Sequence, residues 1–225
     1  MASLDMRTGN GGKPQMAQNI LDLRNVMGCN IIVDDLTYFS EAAFQEDVIA
    51  NAVTTVVNSG AMYFSSAANS GRLTGGNSGT WEGDFVNGGV VTGPIATAGE
   101  TGFFHNFGGS NANSLTTGTS RVSLKWSEPL AAATSDYDLF ILDSAGTTLV
   151  AFSVAVQNGT QDPYELVSCT QCPFPSGSQV VVVKFNGAAR ALRVDTHRGR
   201  LATATSGSTF RSEEHTSELQ SRGLI

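Results

Sequence analysis

The sequence predicts a mixed architecture, an α/β segment followed by an all-β sandwich module, and three observations carry that expectation. Over residues 14–69, apolar residues recur at helical spacing on either side of short β-branched runs. From about Gly71 no helical periodicity returns, and short β-type runs separated by turn residues take over. The composition shifts at the same seam, where Gly, Ser, Asn and Thr dominate to Thr80.

The first segment opens with Pro14, a residue tolerated in the first turn of a helix. Met16, Ile20, Leu23 and Met27 then follow at helical spacing until Gly28. Ile31-Ile32-Val33 reads as a strand closed by Asp34-Asp35. Ser40 is placed to cap a second helix carrying Ala43, Phe44, Val48, Ala52 and Val56 on one side, ended by Ser59-Gly60. Met62-Tyr63-Phe64 reads as a second strand. Strand, helix and strand at this spacing form a crossover, which predicts a parallel sheet covered by helices. In the second segment, Arg121–Trp126, Asp136–Leu142, 147–156, 179–185 and 188–194 read as strands. Gly146 and Asn186-Gly187 are the turn signals, the latter a strong hairpin cue. Regular short strands of this kind predict a sandwich.

Charge and hydropathy exclude whole classes of function. With 13 Lys plus Arg against 20 Asp plus Glu, the net charge of −7 opposes a protein built to neutralise phosphates. No apolar run approaches a membrane span, and 1–18 is polar and Gly-rich with no apolar signal core. No nucleic-acid or membrane partner is therefore expected. No G-x-G-x-x-G or P-loop follows either strand of the α/β segment, which argues against a nucleotide site. Cys29 reads as a small buried hydrophobe. Cys169 and Cys172 form a C-x-x-C in a Pro-rich loop with no second ligand pair, so a local disulfide or two idle thiols is expected rather than zinc or redox chemistry.

Three stretches carry a resemblance. Cys29 to Asp35, Phe44 to Val53 and Tyr63 to Gly71 together resemble the middle of subtilisin-like serine peptidases (subtilases) over about residues 14–80. The resemblance implies a subtilisin-like α/β catalytic segment over 1–80, in a secreted or cell-envelope endopeptidase acting on peptide or protein substrates. In that family a strand lines the substrate cleft, and a second strand ends in a turn bearing the oxyanion-hole Asn. Asn69 matches this Asn, with Ala68 in place of the usual Gly. Leu36 and Thr37 fall where the family builds the wall of its S1 pocket. Asp34 and Asp35 stand where the family more often has uncharged residues, and are either site carboxylates or solvated strand-end acids. An Asn amide is suited to the role because it donates to a developing oxyanion, an interaction worth about 3 kcal/mol in acyl transfer.

Lys125-Trp126-Ser127-Glu128-Pro129, Asp136 to Asp143 and Gln161 to Glu165 resemble jelly-roll modules that accompany secreted bacterial peptidases, here an insert over 81–204. No cofactor is required by either resemblance. Asp136 and Asp138 share a strand face and, with Asp143, could offer calcium ligands; the alternative is a hairpin edge made soluble by acids.

Subtilases order their triad Asp, His, Ser, with the oxyanion Asn between His and Ser. The Asp and His are therefore expected before Met1 and the Ser beyond Asn69. Gly118-Thr119-Ser120 imitates the serine motif, but Arg121-Val122-Ser123-Leu124 continues as strand rather than helix. Neither His105 nor His197 has a matching pattern, and no complete Ser/His/Asp set is expected in this chain, which alone is expected to be inactive. A non-catalytic binding or adhesion module built on the sandwich is the alternative reading. Residues 205–225 read as a disordered tail, in which 211–221 resembles translated sequencing-adapter sequence and falls outside fold reasoning.

Overall fold

The computed structural model describes residues 3–66 and 69–205, which fall into two compact units meeting in sequence between residues 68 and 69. The expectations for Ala68 and for the adapter-like tail lie outside the described residues.

The first unit contains α1 (Lys13–Asn25), β1 (Ile31–Asp34), α2 (Val48–Asn58) and β2 (Met62–Ser65). β1 and β2 pair in parallel, from Ile31 opposite Met62 to Asp34 opposite Ser65. Met16 and Ile20 of α1 and Ile49, Val53 and Val56 of α2 pack with Ile32 and Tyr63 on one face of this ribbon. Arg24 ties the ends together, donating to the Asn30 side chain at 2.7 Å, the Cys29 carbonyl at 3.1 Å and the Ser59 hydroxyl at 2.8 Å. The second helix begins eight residues later than Ser40. Asp47 caps it instead, accepting from the Val48 N–H at 2.6 Å while Lys13 bonds the other carboxylate oxygen at 2.5 Å. A carboxylate at a helix N-terminus gains from both the free N–H groups and the helix dipole, which a serine hydroxyl cannot match.

The second unit contains β3 (Thr80–Asp84), β4 (Asn87–Val90), α3 (Gly93–Thr97), β5 (Phe103–His105), β6 (Asn113–Thr117), β7 (Arg121–Trp126) and β8 (Asp136–Leu142). It continues with β9 (Leu149–Ser153), β10 (Tyr164–Ser168), β11 (Gln179–Asn186), β12 (Ala191–Asp195) and β13 (Arg200–Leu201). One sheet runs β10-β7-β12-β3. The other is organised on β11: β8 lines one edge of it, with β9 outside, while β6 and β5 share the opposite edge and extend to β13 and β4. Trp81, Leu124, Trp126, Leu192 and Val194 of the first sheet interleave with Leu115, Tyr137, Leu139, Val180 and Val182 of the second in one buried core. The second sheet is covered on its other face too, where Phe140, Leu142, Val181 and Val183 pack with Ile95 of α3.

The expected parallel, subtilisin-like α/β architecture is overturned. The described residues are 33% strand and 16% helix, and apart from β1–β2 every ladder among them is antiparallel. The parallel part is a ribbon of two four-residue strands, too small to be the organising sheet of the chain. The all-β reading of the second segment agrees with what is found. Within it the Asn186-Gly187 hairpin is also corrected. β11 and β12 lie in different sheets, so this turn carries the chain from one to the other. Gly187 stands at φ +87, and a Cβ there would approach Ser135 Cα to 2.5 Å. Immediately afterwards the Ala188 N–H bonds Ser135 Oγ, and Arg190 bonds buried Glu128 at 2.6 Å, drawing the chain across.

Candidate functional site

β1 ends in Asp34, and the parallel register sets Ser65 directly opposite. The Asp34 carboxylate accepts from the Ser65 hydroxyl at 2.7 Å and from the Tyr63 hydroxyl. Burial first, and then the negative charge of Asp34, pushes the Tyr63 phenol far above its ordinary range, so it remains a donor. The polypeptide before α1 folds towards the same strand end: Asn19 donates to the Thr8 carbonyl at 2.7 Å, and Tyr38 to the Gly9 carbonyl. The result is a cleft of about 180 Å³ with Met16, Ile20, Leu23 and Ile32 as apolar wall. Arg7, Asp34, Asp35 and Leu36 supply its more polar and outer parts. Such a cleft can seat an apolar group whose polar end meets a fixed carboxylate. Its lining has no His or Cys, and the candidate bases in it are the carboxylates of Asp34 and Asp35.

Of the residues singled out from the sequence, Leu36 is exposed on this cleft and Thr37 follows it, half-buried. Asp34 is a hydrogen-bonded strand-end acid, while Asp35 is exposed. Asn69 is exposed in a bend at the start of the second unit. The loop it opens is built tightly: Gly71 stands at φ +77, where a Cβ would collide with the Asn77 carbonyl at 1.9 Å, and the Asn77 side chain accepts from the Arg72 N–H at 2.9 Å. Ser70, buried, donates to the His197 carbonyl at 3.3 Å.

The second unit places the remaining chemistry. Thr119 pairs with Phe174 and Ser120 leads into β7 rather than a helix, so the serine-motif imitation has no catalytic geometry. His197 was passed over for want of a pattern, yet its Nε2 lies 3.1 Å from Ser123 Oγ, with Asp195 accepting from the His197 backbone N–H. Ser123 is 1% exposed and His197 6%, so no substrate carbonyl reaches the hydroxyl in this conformation. Burial lowers the His197 imidazole to about 4 and leaves it neutral. His105 is fully buried between Trp81 and Phe107, each with its ring 4.6 Å away, and Nδ1 accepts from the Val86 N–H. Burial lowers it also to about 4. The His197–Ser123 pairing joins residues far apart in sequence, and no local motif announces it.

Asp136, Asp138 and Asp143 do not assemble into one site. The first two lie in the first half of β8, buried. Asp143 is in the β8–β9 turn, half-buried, accepting from the Thr147 and Thr148 N–H groups. Asp143 stands five positions along the chain from Asp138, roughly 17 Å. The solvated-edge alternative fails as well, since β8 is buried along its whole length. Among the described residues, no group of three or more His, Cys, Asp or Glu is arranged to hold a metal ion. Cys169 and Cys172 are joined by a disulfide. No described helix is long and apolar enough to cross a membrane.

No protein-family model matches the chain, and no curated protein matches its sequence. Among solved structures it is similar to the CspB protease of Clostridium perfringens, with 10% identity and a TM-score of 0.49 over 90% of this chain. The chain spans 43% of the length of that protease. Identity and TM-score at this level define neither the fold nor the activity of the chain.

Proposed function

We propose that this chain is part of a longer, secreted serine endopeptidase related to the subtilases, in which Asn69 stabilises the oxyanion and Leu36 and Thr37 flank a substrate side chain. The observation that carries this reading is the parallel β1–β2 register joined through α2. It sends the segment bearing Leu36 and Thr37 out from the carboxyl end of β1, beside the carboxyl end of β2. Carboxyl ends of parallel strands are where such folds collect ligand-binding residues. The Cys169–Cys172 disulfide supports an oxidising compartment. The reaction is peptide-bond hydrolysis through an acyl-enzyme on a serine, with nucleophile and base supplied by the rest of the protein.

The test uses the longer protein with its triad intact. Asn69→Ala is expected to lower kcat about a hundred- to a thousandfold with KM little changed, because the amide bonds mainly the transition state. An unaltered kcat would reduce Asn69 to a turn residue. The chain by itself is expected to resist labelling by a fluorophosphonate probe. Labelling would place a nucleophile within it, with Ser123 beside His197 the first residue to substitute.

A further inference from the structure

The first half of β8 gathers carboxyl groups that no salt bridge explains. Asp136 and Asp138 come from the strand itself, on the side shared with Phe140 and Leu142, and are 6% and 4% exposed. Glu165 of β10 is 1% exposed, and Glu100 follows α3. Among the described residues no salt bridge joins a cation to them, and on β7, paired with β10, buried Lys125 stands opposite Tyr164 rather than Glu165. On β11, Lys184 lies opposite Tyr137, bonds the Gly187 carbonyl at 3.0 Å and stands over the Phe85 ring. β9 offers only the Ser153 hydroxyl, which donates to Glu165. Tyr164 neighbours Glu165 in β10, but alternation sends it to the opposite face.

Gln157 shows that the cluster is short of donors. Its backbone N–H donates to Asp136 and its side-chain amide donates to Glu165 at 2.8 Å. Gln157 itself is 4% exposed, and its Oε1 has no hydrogen-bond partner; neither has Asp136 Oδ1. Asp138 follows two residues on, on the same face of β8 and 4% exposed. A buried oxygen without a donor is costly, and a charged one far more so. The donor that carboxyl groups can supply themselves is a carboxylic O–H.

We infer that this cluster is a proton-binding site: the folded sandwich holds at least one proton among Asp136, Asp138, Glu165 and Glu100 at neutral pH, and loses stability when alkalinisation removes it. Burial, followed by the charges of Glu100, Asp136 and Glu165, pushes Asp138 up to about 8. Burial raises Asp136, Glu165 and Glu100 as well. An unfolded Asp releases its proton near about 3.9, so between that pH and about 8 the folded state binds more protons than the unfolded one. Stability therefore falls as pH rises through this interval and levels off above it. The fall steepens above about 6.5, as the histidines of the unfolded chain finish titrating.

The test is urea unfolding of the full 225-residue chain followed by tryptophan fluorescence. Both tryptophans, Trp81 and Trp126, sit in the core of this sandwich and report on it. Between pH 6.5 and 8 the unfolding constant is expected to rise severalfold for one retained proton, the slope growing as the histidines of the unfolded chain finish titrating and fading as the proton leaves near pH 8. Asp138→Asn, which keeps shape without charge, is expected to flatten that rise, whereas Asp143→Asn in the exposed turn leaves it. Infrared difference spectra of the wild-type chain give a readout that does not need the variant to fold: a protonated-carboxyl band is expected at pH 6.5 and lost by pH 9. A pH-independent wild type, an Asp138→Asn profile as steep as wild type, or absence of the carboxylic band overturns the inference. So does a saturable rise of the pH 8 midpoint with calcium chloride, which would make a cation the ligand.

Discussion

Two of the sheets, the β11-centred sheet of the sandwich and the β1–β2 ribbon, carry apolar residues on both faces, yet only the first is covered on both among the described residues. In the sandwich, β8 carries Tyr137, Leu139 and Ile141 into the inter-sheet core and Phe140 and Leu142 into the layer under α3, all buried. In the β1–β2 ribbon, Ile32 and Tyr63 are buried against the helices, but Ile31, Val33, Met62 and Phe64 on the other face are 57%, 69%, 53% and 47% exposed. An unbroken apolar run thus specifies that a strand has two faces to cover, not that it obtains the cover. Parallel ribbons are characteristically covered on both faces, and the contrast leaves the first unit the less well stabilised per strand.

Substitutions can break or sharpen this contrast. Leu124→Ala, in the fully buried sandwich core, is expected to cost about 3–5 kcal/mol in urea unfolding followed by tryptophan fluorescence. A cost near 1 kcal/mol would show the core to be loosely packed. Acidification acts on the same unit in the opposite sense to the carboxyl cluster. His105 and His197 are lowered to about 4, below the unfolded value of about 6.5, so their contribution is present above 6.5 and is lost as pH falls towards 4. Each is expected to remove on the order of 3 kcal/mol over that interval, and His105→Phe is expected to make the acid limb shallower. With the carboxyl cluster, this places the stability maximum of the sandwich close to pH 6.5.

Glu128→Ala follows in size. This carboxylate is pushed up by burial, but bonds from the Ser135 N–H and hydroxyl, from Arg190 and from Thr134 outweigh that and hold it at about 2. Its loss leaves Trp126 Nε1 and two backbone N–H groups without their acceptor, and about 2–3 kcal/mol of destabilisation is expected by the same measurement. Ile20→Ala in the first unit should cost about 2 kcal/mol, read from the helical circular dichroism signal. Val33→Thr, on the bare face of the ribbon, is expected to change stability by less than about 0.5 kcal/mol. A loss as large as that of Ile20→Ala would mean that this face is covered in solution.

The candidate cleft was legible only in part. Asp34, Asp35 and Leu36 could be placed at a strand end because β-branched residues and the two acids mark where the strand stops. The approach of Arg7 and Thr8, and the Tyr63 and Ser65 hydroxyls held on Asp34, depend on a fold-back and a strand register that no local pattern encodes. The same holds for Ser123 with His197, 74 residues apart.

By itself the sequence determined the segments with strong periodicity or firm ends: β7 and β8 at their observed limits and α1 within two residues. Helical spacing and strand alternation are properties of neighbouring residues, so they survive without tertiary context. Which strands pair was decided elsewhere. Asn186-Gly187 has the composition of a hairpin and makes a crossing between sheets, because Glu128 and Ser135 capture the residues that follow it. Asp136 and Asp138 look like surface acids and are buried, because β8 is flanked by β11 and β9 and layered on both faces. Burial and charge proximity are sums over distant residues, and only the folded chain performs that sum.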